Sequence, residues 1–162
     1  MSITAERYGQ LRRLHDAVTQ RLYQSMSQRA IDATAQRMEL KSQLENDYQR
    51  AIVLESVLCD EVVGGKTAVG RMAARPDLGE DERTLLLAMR EARATVFQVL
   101  ERATPFGVQV LDVLGGDTFV VADAALTEMA DPGELGAARL MRFPDFAMTT
   151  GVPLQIPPFA LS

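Results

Sequence analysis

The sequence predicts an α+β protein in which N-terminal amphipathic helices precede a small five-stranded β-barrel of the SH3-like or OB-like kind. Between Gly9 and Gly64 there is no glycine or proline, and apolar residues recur there every three or four positions, as along one face of a helix. From Val96 onward, short runs of β-branched and aromatic residues alternate with turn residues, which is typical of an antiparallel meander. The chain has 162 residues, 47% of them hydrophobic, which suffices to bury the core of such a domain.

These patterns divide the chain into three regions. Residues 1–94 are predicted to be helical, residues 95–151 to form the barrel, and residues 152–162 to form an extended tail that contains prolines.

The first helical stretch leaves two arrangements open. A single helix over residues 10–63 would run about 80 Å at ~1.5 Å per residue, which is too long for one compact domain. Either it breaks near Ala30–Ala35 and folds back as a hairpin, or it extends and pairs with another chain as a coiled coil. The second arrangement predicts a homo-oligomer, most simply a dimer, that self-associates through a near-heptad face: Leu11, Leu14, Val18 and Leu22.

Two further helices follow in the sequence. Gly64-Gly65 is predicted to end the helix that carries Leu54–Val63, since glycine is common just after a helix. A short helix over Thr67–Ala74 stops before a proline. The next helix, Glu80 to about Ala94, opens with three acidic residues, which the positive end of a helix favours.

The barrel strands are predicted from apolar runs that turn residues separate. Ala124–Met129 forms either a short helical turn or an irregular crossing, and Asp131-Pro132-Gly133 is a turn signal. The predicted strands are Val96–Leu100, Val108–Leu114, Thr118–Ala122, Ala137–Phe143 and Phe146–Thr150.

The composition narrows the classes of function. Residues 95–162 carry three basic and eight acidic side chains, and a surface of that sign repels phosphate backbones. Cys59 and His15 are the only cysteine and the only histidine, so no disulfide within the chain and no Cys/His metal cluster can form. We therefore predict neither a metal nor a cofactor.

No motif in the sequence predicts catalysis. Gly64-Gly65-Lys66-Thr67 resembles the end of a phosphate-binding loop, but Asp60 stands where that loop needs its first glycine. The adjacent acids Asp60 and Glu61 point about 100° apart on a helix, so they do not converge on one substrate atom. We therefore predict no catalytic residue, and the sequence favours a non-enzymatic protein.

The late strands carry a candidate partner-binding surface, and the alternative is that its two phenylalanines lie in the core and its two arginines are solvated. Basic residues lie there beside aromatic ones, a combination with which small barrels stack single-stranded bases or bind peptides. The acidic surroundings favour a peptide. The predicted surface comprises Arg139, Arg142, Phe143 and Phe146.

Several segments match the pattern of a known group of proteins: Asp60–Thr67 (DEVVGGKT), Gly79–Arg83 (GEDER), Phe97–Glu101 (FQVLE), Gly107–Asp117 (GVQVLDVLGGD) and Leu135–Leu140 (LGAARL). In this spacing the chain resembles uncharacterised bacterial proteins that often carry a SEC-C zinc-binding motif. The resemblance implies a shared fold and assigns no activity. The SEC-C cysteines are absent here, so no zinc role carries over.

The sequence as a whole predicts a cytoplasmic protein-interaction or adaptor module that self-associates through its N-terminal helices. No apolar run approaches the ~20 residues that span a bilayer, and the N-terminus lacks the apolar core of a secretory signal. The alternative is a nucleic-acid-associated protein that binds phosphates through helical arginines. These are Arg7, Arg12, Arg13, Arg21, Arg29 and Arg37.

Overall fold

The computed structural model describes residues 3–40 and 46–157. The chain divides into two units, which we call the barrel unit (Met1–Gln10 and Glu91–Ser162) and the helical unit (Leu11–Arg90). The barrel unit therefore begins with the first ten residues, ahead of the helical unit in the chain. Tyr8 accounts for part of this, because its ring stacks on Phe106 with 5.0 Å between centroids and its hydroxyl accepts a hydrogen bond from the Ala124 N–H.

Five helices form in the first 91 residues of the described chain. They are α1 (Ala5–Gln24), α2 (Gln28–Arg37), α3 (Asp47–Cys59), α4 (Ala68–Ala73) and α5 (Glu80–Glu91). The predicted long helix is thus interrupted, and no single helix spans residues 10–63.

The first interruption lies at residues 25–27, and the predicted break near Ala30–Ala35 is wrong. Ser27 is the N-cap of α2, and its side chain accepts a hydrogen bond from the Ala30 N–H. Such a cap satisfies a backbone donor that the start of a helix leaves unpaired, so it sets the boundary locally. Ala30–Ala35 instead lies inside α2, where Ala35 packs with Val53 and Val57 of α3.

The predicted role of Gly64-Gly65 is also wrong. The helix α3 ends at Cys59, and the two glycines, both with positive φ, make the tight turn of a small hairpin in which Val63 and Lys66 pair. A two-residue turn of this kind needs φ > 0 at both positions, which glycine adopts without strain. Thr67 then caps α4 by accepting from the Gly70 N–H, which agrees with the predicted short helix.

The barrel unit confirms the predicted α+β fold. Its strands are β1 (Arg93–Thr104), β2 (Gly107–Asp112), β3 (Thr118–Ala122), β4 (Leu135–Arg142), β5 (Ala147–Thr149) and β6 (Leu154–Ile156), and α6 (Ala124–Met129) lies between β3 and β4. The first three strands form the predicted antiparallel meander. Parallel pairing of β3 with β5 and antiparallel pairing of β5 with β4 and of β4 with β1 close a five-stranded mixed barrel.

The sixth strand was not predicted. Leu154–Ile156 lies in the region expected to be an extended tail, but it pairs antiparallel with Leu135–Ala137 of β4. The strands β5 and β6 therefore lie one after the other along the same edge of β4, whose other edge pairs with β1.

The core of the barrel is apolar and continuous. It contains Phe97, Val99, Val108, Val110, Val121, Leu126, Ala138, Leu140 and Ala147. On β1, Phe97 and Val99 alternate with more exposed neighbours, as the period of two along a strand requires. In the described part of the chain no helix is long and apolar enough to cross a membrane.

Candidate functional site

The barrel core opens to the surface between α6 and β6. We call this opening the α6–β6 groove. It is lined mainly by Leu126, Met129, Ala130, Leu135, Gly136 and Leu154. Its volume of about 80 Å³ is roughly half that of a ~150 Å³ cavity that holds benzene. The groove is therefore suited to a branched aliphatic side chain.

The floor of the groove is formed by the core residues Phe97 and Val99, which are almost fully buried. Gly136 is required for this geometry, since a Cβ atom on it would lie 2.8 Å from two carbons of the Phe97 ring. Because such a contact is far inside van der Waals distance, any larger residue at position 136 would push the ring or the strand out of place.

The outer wall of the groove is α6, which Asp123 holds in position. One oxygen of the buried Asp123 carboxylate accepts the Leu126 N–H at 2.9 Å, and the other accepts the Thr149 hydroxyl. This cap starts the helix and ties it to β5. At the far end of α6, Met129 keeps 65% of its surface exposed. An exposed methionine at the lip of an apolar opening is a flexible contact surface of the kind found at protein-binding sites.

The charge at the groove is negative. Glu134 is the only charged residue that lines it in the described part of the chain. The Glu134 carboxylate accepts hydrogen bonds from the Gln155 side-chain amide and from the Asp131 N–H, both at 2.9 Å. Glu128 and Asp131 are exposed and flank Met129 and Ala130 in the chain. An occupant of the groove therefore meets apolar walls and an acidic rim.

The structure separates the four predicted partner-binding residues. Phe143 and Phe146 stack on each other across the β4–β5 turn, with 4.7 Å between ring centroids. The Arg142 guanidinium lies 3.3 Å above the Phe119 ring and 3.8 Å from the Asp112 carboxylate. Arg139 is half-buried and, three positions before Arg142 on the strand, points to the opposite face of the sheet. Partner binding by these residues stays a prediction.

Asp112 links Arg142 to the β2–β3 turn. Its Oδ1 accepts the N–H groups of Leu114 and Gly115 at 2.9 and 2.8 Å, while its Oδ2 faces Arg142. The turn therefore presents Leu114, 83% exposed, on a loop that these hydrogen bonds hold to Asp112.

The predicted self-association face is mostly used inside the chain. Leu11, Val18 and Leu22 are buried, and Leu14 is half-buried. The fourth buried position of α1 is His15, since the spacing 11, 15, 18, 22 follows one face of a helix more closely than a stripe through Leu14 does. Self-association through this helix stays a prediction, and of the four residues Leu14 is the most accessible for it.

Among the arginines of the alternative nucleic-acid hypothesis, Arg21 and Arg37 form ion pairs within the helical unit. Arg21 pairs with Glu82, and Arg37 pairs with Glu61. The hydrogen bond from Arg21 keeps the pKa of Glu82 below its usual value. In these pairs a carboxylate neutralises the positive charge of each arginine, which phosphate binding would require.

The buried histidine is unusual. His15 is only 6% exposed, and both of its ring nitrogens, like the neighbouring Thr19 hydroxyl, lack a hydrogen-bond partner among the described residues. Asp16 lies 3.6 Å from Nδ1, which is beyond hydrogen-bonding distance. Burial, aided by the positive charge of Arg12, lowers the pKa of His15 below its ordinary value of 6.5, against the weaker opposing effect of Asp16. The neutral imidazole is therefore the favoured form.

The sequence did not reveal the groove. From the sequence, Met129 is assigned to a short crossing and Leu154 to an extended tail, because neither residue belongs to a predicted strand. The one local signal was Gly136, the residue just before the predicted strand Ala137–Phe143, since a glycine in a strand often marks a close approach of another group.

Fold and site together define a helix-and-barrel protein with an apolar, acid-rimmed groove. The chain belongs to a family of unknown function, DUF7986, whose sequence profile matches residues 3–158. No curated protein and no solved structure matches the chain. The resemblance to SEC-C-associated proteins remains a prediction alongside this family membership.

Proposed function

We propose that this protein is a protein-interaction module that binds a segment of a partner polypeptide in the α6–β6 groove. The observation that carries the proposal is the exposed Met129 at the lip of an apolar opening whose floor is the barrel core. Large exposed apolar side chains beside a pocket are the features around which protein interfaces form their central contacts.

The chemistry of the groove supports a polypeptide occupant more than a small metabolite. Sites for small molecules combine apolar walls with several convergent polar groups that fix the orientation of the ligand. In the described residues the polar side chains that line this groove are Glu134 and Gln155, and they already bond to each other. A groove of this composition selects for an apolar side chain and leaves orientation to the backbone of its ligand.

The same residues support a non-enzymatic role. Acid–base catalysis needs a titratable side chain within reach of the reacting atoms, usually with a second group that orients it. Glu134 is the only titratable side chain that lines the groove in the part of the chain described, and both its oxygens accept hydrogen bonds. We expect binding without chemistry, in the cytoplasm as the sequence predicts.

Self-association is a separate proposal that rests on the sequence pattern of α1. Light scattering at high micromolar concentration tests it, with Leu14→Glu as the variant because Leu14 is the most accessible residue of that face. A dimer that the substitution dissociates would support the proposal. A monomer in the unmodified protein would contradict it.

Site-specific photo-crosslinking in the native cell tests the binding proposal. We place a photoreactive phenylalanine analogue at Met129 or, as the matched control, at Leu114, since both side chains are exposed and neither substitution disturbs the core. We expect a discrete crosslinked polypeptide from position 129 and none from position 114. No crosslink at position 129, or the same products from both positions, would contradict the proposal.

A further inference from the structure

We propose that the partner segment binds as an added β-strand along β6, with an aliphatic side chain in the α6–β6 groove and a basic side chain at the acidic rim. This inference rests on the proposed function and specifies how the groove would recognise its partner.

The first observation is the position of β6 in the sheet. Among the described residues β6 is bonded only to β4 and ends the order of strands. Along an edge strand, alternate N–H and C=O groups point away from the sheet and can pair with another strand. An extended peptide gains main-chain hydrogen bonds in this way.

The second observation is the position of the groove beside that strand. Its lining comes from Met129, the last residue of α6, and the following Ala130 on one side, and from Leu154 and Gln155 of β6 on the other. A strand laid along the side of β6 that faces α6 would therefore run above the opening. Because side chains alternate along a strand, every second one would point toward the groove.

Prolines limit how far such pairing extends. Pro153 precedes β6 and Pro157 follows it, and neither has an N–H to donate. Only Leu154–Ile156 can pair along its full length, so the added strand is short, and recognition must depend on its side chains as well as on its backbone.

Charge complementarity identifies the side chains. Glu134 lines the groove, and the exposed Glu128 and Asp131 flank the lining residues Met129 and Ala130 in the chain. The Glu134 carboxylate, which already accepts two hydrogen bonds, retains lone pairs for a lysine or arginine. An acidic segment would be repelled by this rim. The geometry therefore fits an extended segment in which an aliphatic residue lies between basic ones.

Three synthetic peptides separate these contributions when they are titrated into the full-length protein. The first is acetyl-Lys-Val-Leu-Val-Lys-amide, the second replaces both lysines with glutamate, and the third keeps the lysines but carries N-methyl groups on the valine and leucine amides. We expect the first to bind at least tenfold more tightly than each of the others. Equal affinities of the first two peptides would overturn the proposed preference for basic side chains, since the acidic rim would then not distinguish lysine from glutamate.

Two protein variants assign the binding to the groove. Met129→Lys should lower the affinity for the first peptide at least tenfold, while the matched control Leu114→Lys should leave that affinity unchanged. Glu134→Gln, which keeps a hydrogen-bond acceptor but loses the charge, should weaken it several-fold at low salt and less at high salt. The same affinity in Met129→Lys as in the unmodified protein would overturn the placement in the groove.

The outcomes distinguish this inference from the proposed function. If the N-methylated peptide binds as tightly as the first, strand addition is wrong, but a crosslink at position 129 would still support the interaction module. If no peptide binds, this inference is overturned, and the crosslinking result alone decides the proposed function.

Discussion

The barrel core is covered differently at the two ends of β4. At the last residue of the strand, Arg142 lies over the Phe119 ring and faces Asp112, so a cation covers the aromatic edge of the core. At the first residues, Leu135 and Gly136 line the α6–β6 groove, whose floor is the buried Phe97 ring. One end is closed by a side chain of the barrel itself, and the other is left open beside an edge strand.

This difference shows where to look for function. The end with arginine and aromatic side chains has the composition of a binding surface, which is why the sequence pointed there. In the structure, however, Arg142 already contacts Phe119 and Asp112, and Phe143 and Phe146 stack on each other. The plainer end, built from glycine, leucine and methionine, presents apolar surface that is available for a ligand.

The largest effect on stability is expected from a larger side chain at position 136, at the groove end of β4. Gly136→Val should lower the free energy of unfolding by about 3 kcal/mol, since its Cβ would overlap the Phe97 ring and overpacking of a core is costly. Urea unfolding measures the change. The double variant Phe97→Leu with Gly136→Val should lose less than the sum of the two single losses, because the smaller side chain relieves the overlap. Strict additivity would show that the ring does not determine the need for glycine.

The next effect is expected from loosening the outer wall of the groove. Asp123→Ala should cost about 2 kcal/mol, because it removes both the cap of α6 and the carboxylate that accepts the Thr149 hydroxyl. Asp123→Asn keeps an oxygen that can cap the helix and should cost about half as much. Equal losses in both variants, measured by urea unfolding, would show that charge and not capping determines the contribution.

A smaller effect is expected at the closed end. Arg142→Met should cost about 1 kcal/mol, since it removes a half-exposed cation–π contact and a long ion pair but keeps an apolar side chain over Phe119. Crosslinking from position 129 should not change. If Arg142→Met abolished crosslinking without changing stability, the partner would bind at the Arg142 end of β4 and not at the α6–β6 groove.

The smallest effect on the free energy of unfolding at neutral pH is expected at His15. This residue belongs to the helical unit, so it tests whether acid destabilises that unit independently of the two ends of β4. The pKa of His15 is lowered by burial in the folded state, so the unfolded chain binds more protons as the pH falls below about 6.5. Its contribution to stability is complete above that pH and declines as the pH falls toward the folded pKa.

His15→Leu isolates this contribution. The difference in unfolding free energy between the unmodified protein and the variant, measured in urea at pH 7.5, 6.0 and 5.0, should shift in favour of the variant as the pH falls. A difference that is independent of pH would show that the imidazole is protonated to the same degree in both states.

Local signals in the sequence predicted much of the fold. The proline that stops the short helix predicted over Thr67–Ala74, the acidic start of α5 and the turn at Asp131-Pro132-Gly133 each act within a few residues, so their chemistry can be read directly from the chain. The meander was predicted from short apolar runs that turn residues separate. By contrast, the end of α3 and the break after α1 were misplaced, because apolar periodicity continues through both boundaries while capping and turn geometry end the helices.

The sequence by itself determined that helices precede a five-stranded barrel, because helix and strand periods and turn residues are properties of neighbouring positions. Only the tertiary structure decided that Leu154–Ile156 joins β4, that Gly136 lies against Phe97 and that Arg142 covers Phe119. These contacts join residues distant in the chain, and a three-residue strand between prolines has no period of its own. The groove consists of such contacts, so it exists only in the folded protein.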